Sequence, residues 1–273
     1  MEDKKSLFNE LYQSKNFFLL AGPCVVESKE ITEEIAQSLI AITNELGIKL
    51  VFKASYLKAN RSSVDSFSTI GVDKSLQILA DIKNKFNIPI VTDIHTEAEA
   101  AIAAQVADVL QIPAFLCRQT SLLVAAGQTG KIINIKKGQF LSPQAMSHAA
   151  RKVVSTNNAQ VMLTERGTTF GYQDLIVDYR SIPIMKQLRY PVILDCTHAL
   201  QQPNQLEGVT GGQPQWIETI AMCGIAAGVD GLFIETHPNP TKALSDGANM
   251  LPLNEIKPLL TKLTKLKAVV SDL

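Results

Sequence analysis

The feature of this chain that most constrains its fold is a regular alternation of short apolar, β-branched runs with longer amphipathic stretches. Eight such runs occur, and each indicates a buried strand because it is apolar almost throughout, not only at every second residue. They lie at 17–23, 49–55, 88–94, 109–114, 131–137, 160–166, 191–197 and 231–236. Strands of this kind are typical of parallel sheets that helices cover on both faces.

Helical patterns fill the segments that follow these runs. The clearest is 29–46, which has Ser28 as a candidate N-cap, Glu30 in its first turn and Gly47 as its stop. The other predicted helices are 73–86, 97–106, 120–127, 143–156, 178–188, 214–227 and 254–268. Strand and helix therefore alternate along the whole chain.

This alternation predicts the architecture. Eight strand and helix units in 273 residues match a closed α/β barrel of the (β/α)8, or TIM, type. A doubly wound open sheet is the alternative, but the glycine-rich phosphate turn of dinucleotide-binding sheets does not follow the first strand. We therefore expect one barrel domain over residues 1–273, in which residues 1–15 form an N-terminal extension.

Charge, hydropathy and cysteine content narrow the class of function. The 26 basic and 26 acidic residues cancel, so no global field attracts nucleic acid or an anionic membrane surface. The apolar runs have the length of strands and fall short of the roughly 20 residues that a membrane helix needs. Four cysteines without a CxxC pair favour reduced thiols in the cytoplasm. Pro23 argues against a lipid anchor at Cys24.

The ends of the predicted strands carry a cationic group of residues. In a barrel of this type the active site lies at the C-terminal ends of the strands. The cations found there are Lys53, Lys58, Arg61, Arg118, Lys136 and Arg166. In a chain of zero net charge, so many cations on one rim indicate an anionic ligand with more than one phosphate or carboxylate. Each cation alone would also fit a solvated surface residue.

A second group of residues has the composition of a metal site. Cys24 follows the first strand, His198 the seventh, Glu235 ends the eighth and Asp246 lies in the next loop. Because a barrel closes, its eighth strand neighbours both the seventh and the first, so these side chains can converge. A thiolate, an imidazole and two carboxylates suit Zn²⁺, Fe²⁺ or Mn²⁺ better than Mg²⁺. The alternative for Cys24 is an inert core thiol. A position in the core is what we expect for the other cysteines, Cys117, Cys196 and Cys223.

Nine motifs together resemble a known family of enzymes. They are AGPCVVES, FKASYLKANRSS, TDIH, DVLQIPAFLCRQT, NIKKGQF, LTERGTTFGY, DYRSIPIM, DCTHALQQP and ETHPNPTKALSDGANMLPL. From about residue 16 to 253 the chain is similar to the 3-deoxy-D-manno-octulosonate 8-phosphate (Kdo 8-phosphate) synthases. The resemblance implies a transferase of lipopolysaccharide biosynthesis that condenses phosphoenolpyruvate with D-arabinose 5-phosphate and water and releases inorganic phosphate.

The same resemblance bears on the sugar, the metal and the assembly. A related synthase makes 3-deoxy-D-arabino-heptulosonate 7-phosphate from erythrose 4-phosphate and carries KPRTS where this chain has KANRSS, so the motif favours the five-carbon aldose. Metal-dependent Kdo 8-phosphate synthases have cysteine after AGP, and metal-independent ones have asparagine. The cysteine of AGPC implies the metal-dependent group, and the family implies a homotetramer.

Roles for individual residues also follow from the resemblance. Binding of phosphoenolpyruvate is implied for Lys53, Ser55, Lys58, Gln111, Lys136 and Arg166. Binding of arabinose 5-phosphate is implied for Asn60, Arg61, Ser62 and Arg118. Binding of a divalent Zn, Fe or Mn ion is implied for Cys24, His198, Glu235 and Asp246. A direct part in catalysis is implied for Lys58, Cys24, His198 and Asp246.

Two other functions compete with this interpretation. Lys136 lies on a barrel strand and could form an imine, as in a Schiff-base aldolase. The barrel could also be a non-catalytic sensor of sugar phosphates. A sensor has no evident need of both the cationic and the metal-like group, which favours the enzyme.

Overall fold

Eight parallel strands form the centre of the computed structural model, which describes residues 6–60, 64–203 and 211–273. The strands are β1 (Phe18–Gly22), β2 (Lys49–Lys53), β3 (Ile90–Asp93), β4 (Val109–Ile112), β5 (Ile132–Lys136), β6 (Val161–Glu165), β7 (Val192–Asp195) and β8 (Gly231–His237). Each pairs with the next along the chain, and β8 pairs with β1 from Gly231 opposite Phe18 to Glu235 opposite Gly22. The predicted (β/α)8 barrel is therefore confirmed, and the open sheet is excluded.

Helices lie between the strands as the sequence pattern predicts. They are α1 (Leu7–Tyr12), α2 (Lys29–Leu46), α3 (Val72–Phe86), α4 (Glu97–Ala103), α5 (Thr120–Gln128), α6 (Met146–Val154), α7 (Ser181–Lys186), α8 (Ile217–Ala226) and α9 (Ile256–Ser271). Helix α2 starts where the Ser28 hydroxyl accepts a hydrogen bond from the backbone N–H of Ile31 at 3.2 Å, and it ends at Gly47 in the left-handed region. No helix within the described residues is long and apolar enough to cross a lipid bilayer.

The segment after β6 differs from the simple loop that the sequence pattern predicts. It contains an antiparallel hairpin in which Thr168–Phe170 pairs with Asp174–Ile176. The Asp178 carboxylate then accepts a hydrogen bond from the backbone N–H of Arg180 at 3.0 Å. Aspartate commonly holds a turn in this way, so α7 begins three residues later than expected.

Apolar side chains fill the lower half of the barrel. They include Phe18, Val51, Ile193 and Phe233, which form one buried cluster. Each of these residues lies within the first three positions of its strand. Leu11 of α1 belongs to the same cluster and is 2% exposed. The N-terminal helix therefore covers the N-terminal end of the barrel, away from the end where the polar side chains lie.

We expect Leu11→Ala to lower the free energy of unfolding by about 2–5 kcal/mol, because it opens a cavity under the barrel interior. Urea unfolding followed by circular dichroism measures this change. Asn9→Ala is the matched control, because Asn9 is exposed on the same helix and its substitution is expected to change stability by no more than about 0.5 kcal/mol. Equal stability of the two variants would show that α1 does not contribute to the core.

The upper half of the barrel interior is polar. The Gln111 amide donates to Asp93 Oδ1 at 2.5 Å, Asn134 donates to Gln111 Oε1 at 3.0 Å, and the Thr164 hydroxyl donates to Asn134 Oδ1 at 2.7 Å. These side chains come from β3 to β6 and are all buried. Buried polar groups are costly unless they are hydrogen bonded. This chain of hydrogen bonds therefore holds its four side chains in one fixed layer, the floor of the site, directly beneath the functional side chains.

Candidate active site

A cavity of about 800 Å³ opens over the C-terminal ends of the strands. Its polar wall is formed by Lys58, Asn60, Asp93, His95, Gln111, Lys136, Arg166, His198 and Asp246. This volume is ordinary for a small-molecule site. The cavity therefore collects cations and acids from most of the strand ends, as the barrel rule predicts.

Three lysine or arginine side chains of the described residues line this cavity. Lys58 is 8% exposed, and its Nζ lies 4.0 Å from Asp93 Oδ2. Burial alone would lower the pKa of Lys58, but the acidic groups around it raise the value well above its usual range. Lys136 and Arg166 are buried, and burial lowers the pKa of each. Cations held this deep attract an anion strongly, because little water screens them.

Arg166 retains hydrogen-bonding capacity. Its Nη2 donates to the side-chain oxygen of Gln201 at 2.6 Å, while its Nη1 is buried and has no hydrogen-bond partner among the described residues. The Glu165 carboxylate accepts hydrogen bonds from the backbone N–H groups of Arg166 and Gly167, at 2.9 and 2.7 Å, and holds this corner in place. A buried donor without a partner is costly, which makes Nη1 a good candidate for binding an anionic ligand.

Lys53 and Ser55 lie below the cavity and are not in its wall. Lys53 is 1% exposed, pairs with Glu235 Oε1 at 2.6 Å and donates to the carbonyl of Cys24 at 3.0 Å. The Ser55 hydroxyl donates to Asp93 Oδ2 at 2.7 Å. Both side chains therefore contact other site residues, and the direct contact with phosphoenolpyruvate that the resemblance implies for them stays a prediction.

Asp93 is the acid that this lower layer supports. Burial alone would raise its pKa, but the positive charges of Lys53 and Lys58 outweigh burial and hold the pKa below its usual range. Its two oxygens accept hydrogen bonds from Ser55 and Gln111. Asp93 therefore stays ionised beside Lys58 at the bottom of the cavity.

Cys24, Glu235 and Asp246 converge as the closure of the barrel predicts. One ligand atom from each lies within 4.8 Å of the others. The Cys24 sulfur lies 3.0 Å from Asp246 Oδ2 and 3.1 Å from the Ser245 hydroxyl oxygen, so its single S–H can donate to either. Burial raises the pKa of this thiol well above its usual range, and the Asp246 and Glu235 carboxylates raise it further. A metal cation bound here would have to displace the thiol proton.

His198 lies beside Glu235 but is not one of the three residues whose ligand atoms are all within 4.8 Å of one another. Its Nδ1 is 2.8 Å from Asp195 Oδ2, and its Nε2 is 3.6 Å from Glu235 Oε2. That Glu235 oxygen is buried and has no hydrogen-bond partner in the described part of the chain. An imidazole whose Nδ1 hydrogen bonds to a carboxylate has the usual orientation of a metal ligand. The donor types of these four residues therefore suit a divalent ion of the zinc, iron or manganese type, and the ion itself stays a prediction.

The four residues implied for sugar phosphate have different outcomes. Asn60 lines the cavity. Arg61 and Ser62 lie outside the described residues. Arg118 is exposed and is not among the residues that line the cavity in this chain. A short 3₁₀ helix, Ala114–Leu116, lies between β4 and Arg118, and the sugar-phosphate role implied for Arg118 stays a prediction.

Some residues of the site carry no role in the sequence interpretation. Asp93 and Asp195 end their strands, and this position was the signal that could have identified them. Glu27 was harder to find, because its carboxylate accepts a hydrogen bond at 2.8 Å from the backbone N–H of Leu244, which is 217 residues away in sequence and follows the neighbouring strand β8. Glu27 also lies 3.6 Å from Nε2 of His237, and together they hold the loop that carries Asp246.

The other cysteines are divided between core and surface. Cys117 and Cys196 are buried, as expected. Cys223 is exposed on α8, so the expectation of a core position is wrong. Helix α8 is apolar on most sides, so the periodicity of its sequence does not show which face is buried and which is exposed.

Comparison with known families shows the class of protein to which this barrel belongs. The model of the DAHP synthetase I family matches residues 12–271. The chain therefore belongs to this family.

Individual relatives narrow the class. The chain is 50% identical over 252 residues to the 2-dehydro-3-deoxyphosphooctonate aldolase of Syntrophotalea carbinolica, covering 92% of this chain and 91% of the relative. It is 48% identical over 263 residues to the protein of the same name from Francisella tularensis subsp. holarctica, covering 96% of each chain. A relative of that name from Brucella anthropi is 48% identical over 260 residues, covering 95% of this chain and 94% of its own. That name denotes Kdo 8-phosphate synthase, so the resemblance found in the motifs is confirmed.

Proposed function

We propose that this chain is a transferase that condenses phosphoenolpyruvate with D-arabinose 5-phosphate and water. The products are 3-deoxy-D-manno-octulosonate 8-phosphate, a precursor of lipopolysaccharide, and inorganic phosphate. The observation that carries the proposal is the cavity in which Lys58, Lys136 and Arg166 stand next to Cys24 and its partners. Relatives of about half-identical sequence that carry the synthase name support it.

Phosphoenolpyruvate fits the cationic part of the cavity. Lys136 and Arg166 are suited to its phosphate and carboxylate, and the unpartnered Nη1 of Arg166 supplies a donor. Lys58 lies next to Asp93, near the place we assign to the reacting enol. The Gln111 amide nitrogen bonds to Asp93 and its oxygen accepts from Asn134, so it orients the floor under the ligand. Lys53 and Ser55 contribute by supporting Glu235 and Asp93.

Arabinose 5-phosphate is assigned to the loop after β2. Asn60 contributes to the cavity wall, and Arg61 and Ser62 of the KANRSS motif follow it in sequence. An amide, a guanidinium and hydroxyl groups are donors suited to a phosphate. Arg118 of this chain is left out of the assignment, because its side chain is exposed outside the cavity.

The reaction needs two anionic reactants held side by side. C3 of the enol attacks the aldehyde carbon, water adds at C2, and the resulting hemiketal phosphate releases phosphate by cleavage of its C–O bond. The fixed cations of the cavity reduce the repulsion between the two phosphates and align the reacting carbons. Because these cations are anchored by buried acids such as Asp93 and Asp195, they need little reorganisation when the substrates bind.

We assign a divalent metal ion to Cys24, His198, Glu235 and Asp246. The convergence of three of these residues and the unpartnered Glu235 oxygen that faces His198 support this assignment. Bound there, a Zn, Fe or Mn ion supplies Lewis acidity to the attacking water or to the sugar. Cys24 would give up its proton on binding, which makes the occupancy of the site pH-dependent.

The proposed function is also consistent with a location in the cytoplasm and with a homotetramer. All four cysteines are free thiols, which supports a place in the reducing cytoplasm. The homotetramer that the resemblance implies stays a prediction, and sedimentation of the purified protein would test it.

The proposed function predicts that phosphate is released from phosphoenolpyruvate when arabinose 5-phosphate is added. We expect kcat/KM with arabinose 5-phosphate to exceed that with erythrose 4-phosphate by at least about tenfold. A chelator should abolish the release, and added Zn²⁺, Fe²⁺ or Mn²⁺ should restore it. A preference for erythrose 4-phosphate would instead identify a heptulosonate synthase. Binding of both sugars without phosphate release would indicate a sensor.

A further inference from the structure

Asp195 at the end of β7 is a fully buried carboxylate whose two oxygens have different partners. Oδ1 accepts hydrogen bonds from the backbone N–H groups of Thr197 at 3.2 Å and His198 at 2.9 Å. It also accepts one from the Thr197 hydroxyl at 3.1 Å. These three contacts shape the turn that follows the strand, and they occupy Oδ1 fully.

The other oxygen is shared between two functional side chains. Oδ2 accepts a hydrogen bond from Lys136 Nζ at 2.6 Å and lies 2.8 Å from His198 Nδ1. Lys136 lines the cationic cavity, and His198 Nε2 faces the unpartnered Oε2 of Glu235 at 3.6 Å. A single carboxylate oxygen therefore connects the residue assigned to phosphoenolpyruvate with the residue assigned to the metal ion.

We propose that Asp195 is a positioning residue that couples the binding of a divalent ion to the binding of phosphoenolpyruvate, an inference that rests on the proposed function. When Nδ1 of His198 donates its proton to Asp195, the lone pair of Nε2 is left for an ion. An ion there withdraws electron density from the ring and strengthens the Nδ1–H bond to Oδ2. Oδ2 then neutralises less of the charge on Lys136, which leaves more of that charge for an anion.

The direction of the coupling follows from this competition. The ion is expected to tighten the binding of phosphoenolpyruvate, and phosphoenolpyruvate to tighten the binding of the ion, because a coupling free energy between two ligands is reciprocal. A direct attraction between the ion and the anion acts through space and does not depend on Asp195. Only the part of the coupling that passes through Oδ2 is assigned to this residue.

Asp195→Asn tests the proposal with little change of shape. The amide oxygen can keep the three contacts of Oδ1, and the NH₂ group replaces only the shared acceptor. We measure the Kd of phosphoenolpyruvate by titration calorimetry, with saturating Zn²⁺ and after the metal has been removed. The coupling ratio is the Kd of phosphoenolpyruvate without metal divided by its Kd with saturating Zn²⁺. We expect this ratio to be at least about fivefold in the wild type and below about twofold in the variant. Competition with a chromophoric chelator should show Zn²⁺ affinity weakened about 10- to 100-fold in the variant.

Thr197→Val is the matched control. It removes the hydroxyl that donates to Oδ1, and with it the acceptor of the Glu235 backbone N–H at 3.4 Å and a contact of 3.5 Å with His198 Nδ1. It leaves Oδ2 with both of its partners, which is the contact under test. A role of Asp195 confined to the turn would make the two variants similar. We expect Thr197→Val to keep the wild-type coupling ratio while Asp195→Asn loses most of it.

Three results would overturn the inference. An Asp195→Asn protein with wild-type Zn²⁺ affinity and an unchanged ratio would do so, even if its melting temperature is lower. A wild-type enzyme that releases phosphate but binds phosphoenolpyruvate equally with and without Zn²⁺ would do so without any variant, and it would leave the proposed function standing. Wild-type protein that does not bind phosphoenolpyruvate at all would refute the proposed function and this inference together.

Discussion

Replacing Cys24 by alanine is expected to remove both the divalent ion and the synthase activity. Cys24 is fully buried, and its sulfur lies 3.0 Å from Asp246 Oδ2 in the group that can hold a metal. Changes in the shell outside a metal's own ligands already cost about 10- to 100-fold in affinity or activity, so the loss of the one sulfur ligand should cost more than 100-fold. Elemental analysis and phosphate release measure the two effects.

Cys223→Ser is the control for this experiment. Cys223 is exposed on α8 and belongs neither to the cavity wall nor to the metal group, and its replacement is expected to leave metal content and turnover unchanged. Thermal melting of both variants shows whether they are folded. Full turnover by a rigorously metal-free preparation of Cys24→Ala would refute the metal-dependent assignment.

Replacing Lys53 by methionine is expected to lower the free energy of unfolding by about 3–5 kcal/mol, because it leaves the buried Glu235 carboxylate without its cation. Lys53 and Glu235 are each 1% exposed and lie 2.6 Å apart. The variant also leaves the Cys24 carbonyl without the ammonium donor at 3.0 Å. Urea unfolding of protein treated with a chelator measures the change, because a bound ion would add its own stabilisation to the folded state.

Lys49→Met on the same strand is the control. Its side chain is 58% exposed, and its ammonium lies 3.9 Å from Glu10, so its loss is expected to change stability by less than about 1 kcal/mol. The comparison also separates two roles for Lys53. If Lys53→Met kept wild-type stability and only raised the KM for phosphoenolpyruvate, Lys53 would be the direct substrate ligand that the family resemblance implies.

Local patterns in the sequence are enough to predict most of this fold. An apolar run shows its burial through its own residues, and a helix such as α2 announces its ends through Ser28 and Gly47. Eight repeats of this pattern leave few topologies, since parallel strands need crossover helices. The hairpin after β6 escaped prediction, because its strands of three residues each are exposed and have no buried face.

The sequence predicts which functional side chains lie at the same end of the barrel, because strand order determines that much. The rule that active sites lie at the C-terminal ends of barrel strands brought Lys58, Lys136 and Arg166 together, and all three line the cavity. The rule could not show depth. Lys53 is the last residue of β2 and Lys58 lies in the loop after it. Lys53 is nevertheless buried beneath the cavity, while Lys58 lines it.

The amino-acid sequence by itself therefore determined the barrel, the end of it that carries the chemistry, and the residue types that meet there. Periodicity and capping act over a few residues and can be recognised without a structure. The tertiary structure alone decided the partners. Lys53 meets Glu235 across 182 residues, Cys24 meets Asp246 across 222, and one Asp195 oxygen serves both Lys136 and His198. Such contacts depend on register, depth and side-chain direction after the barrel has closed, and no local pattern in the chain specifies them.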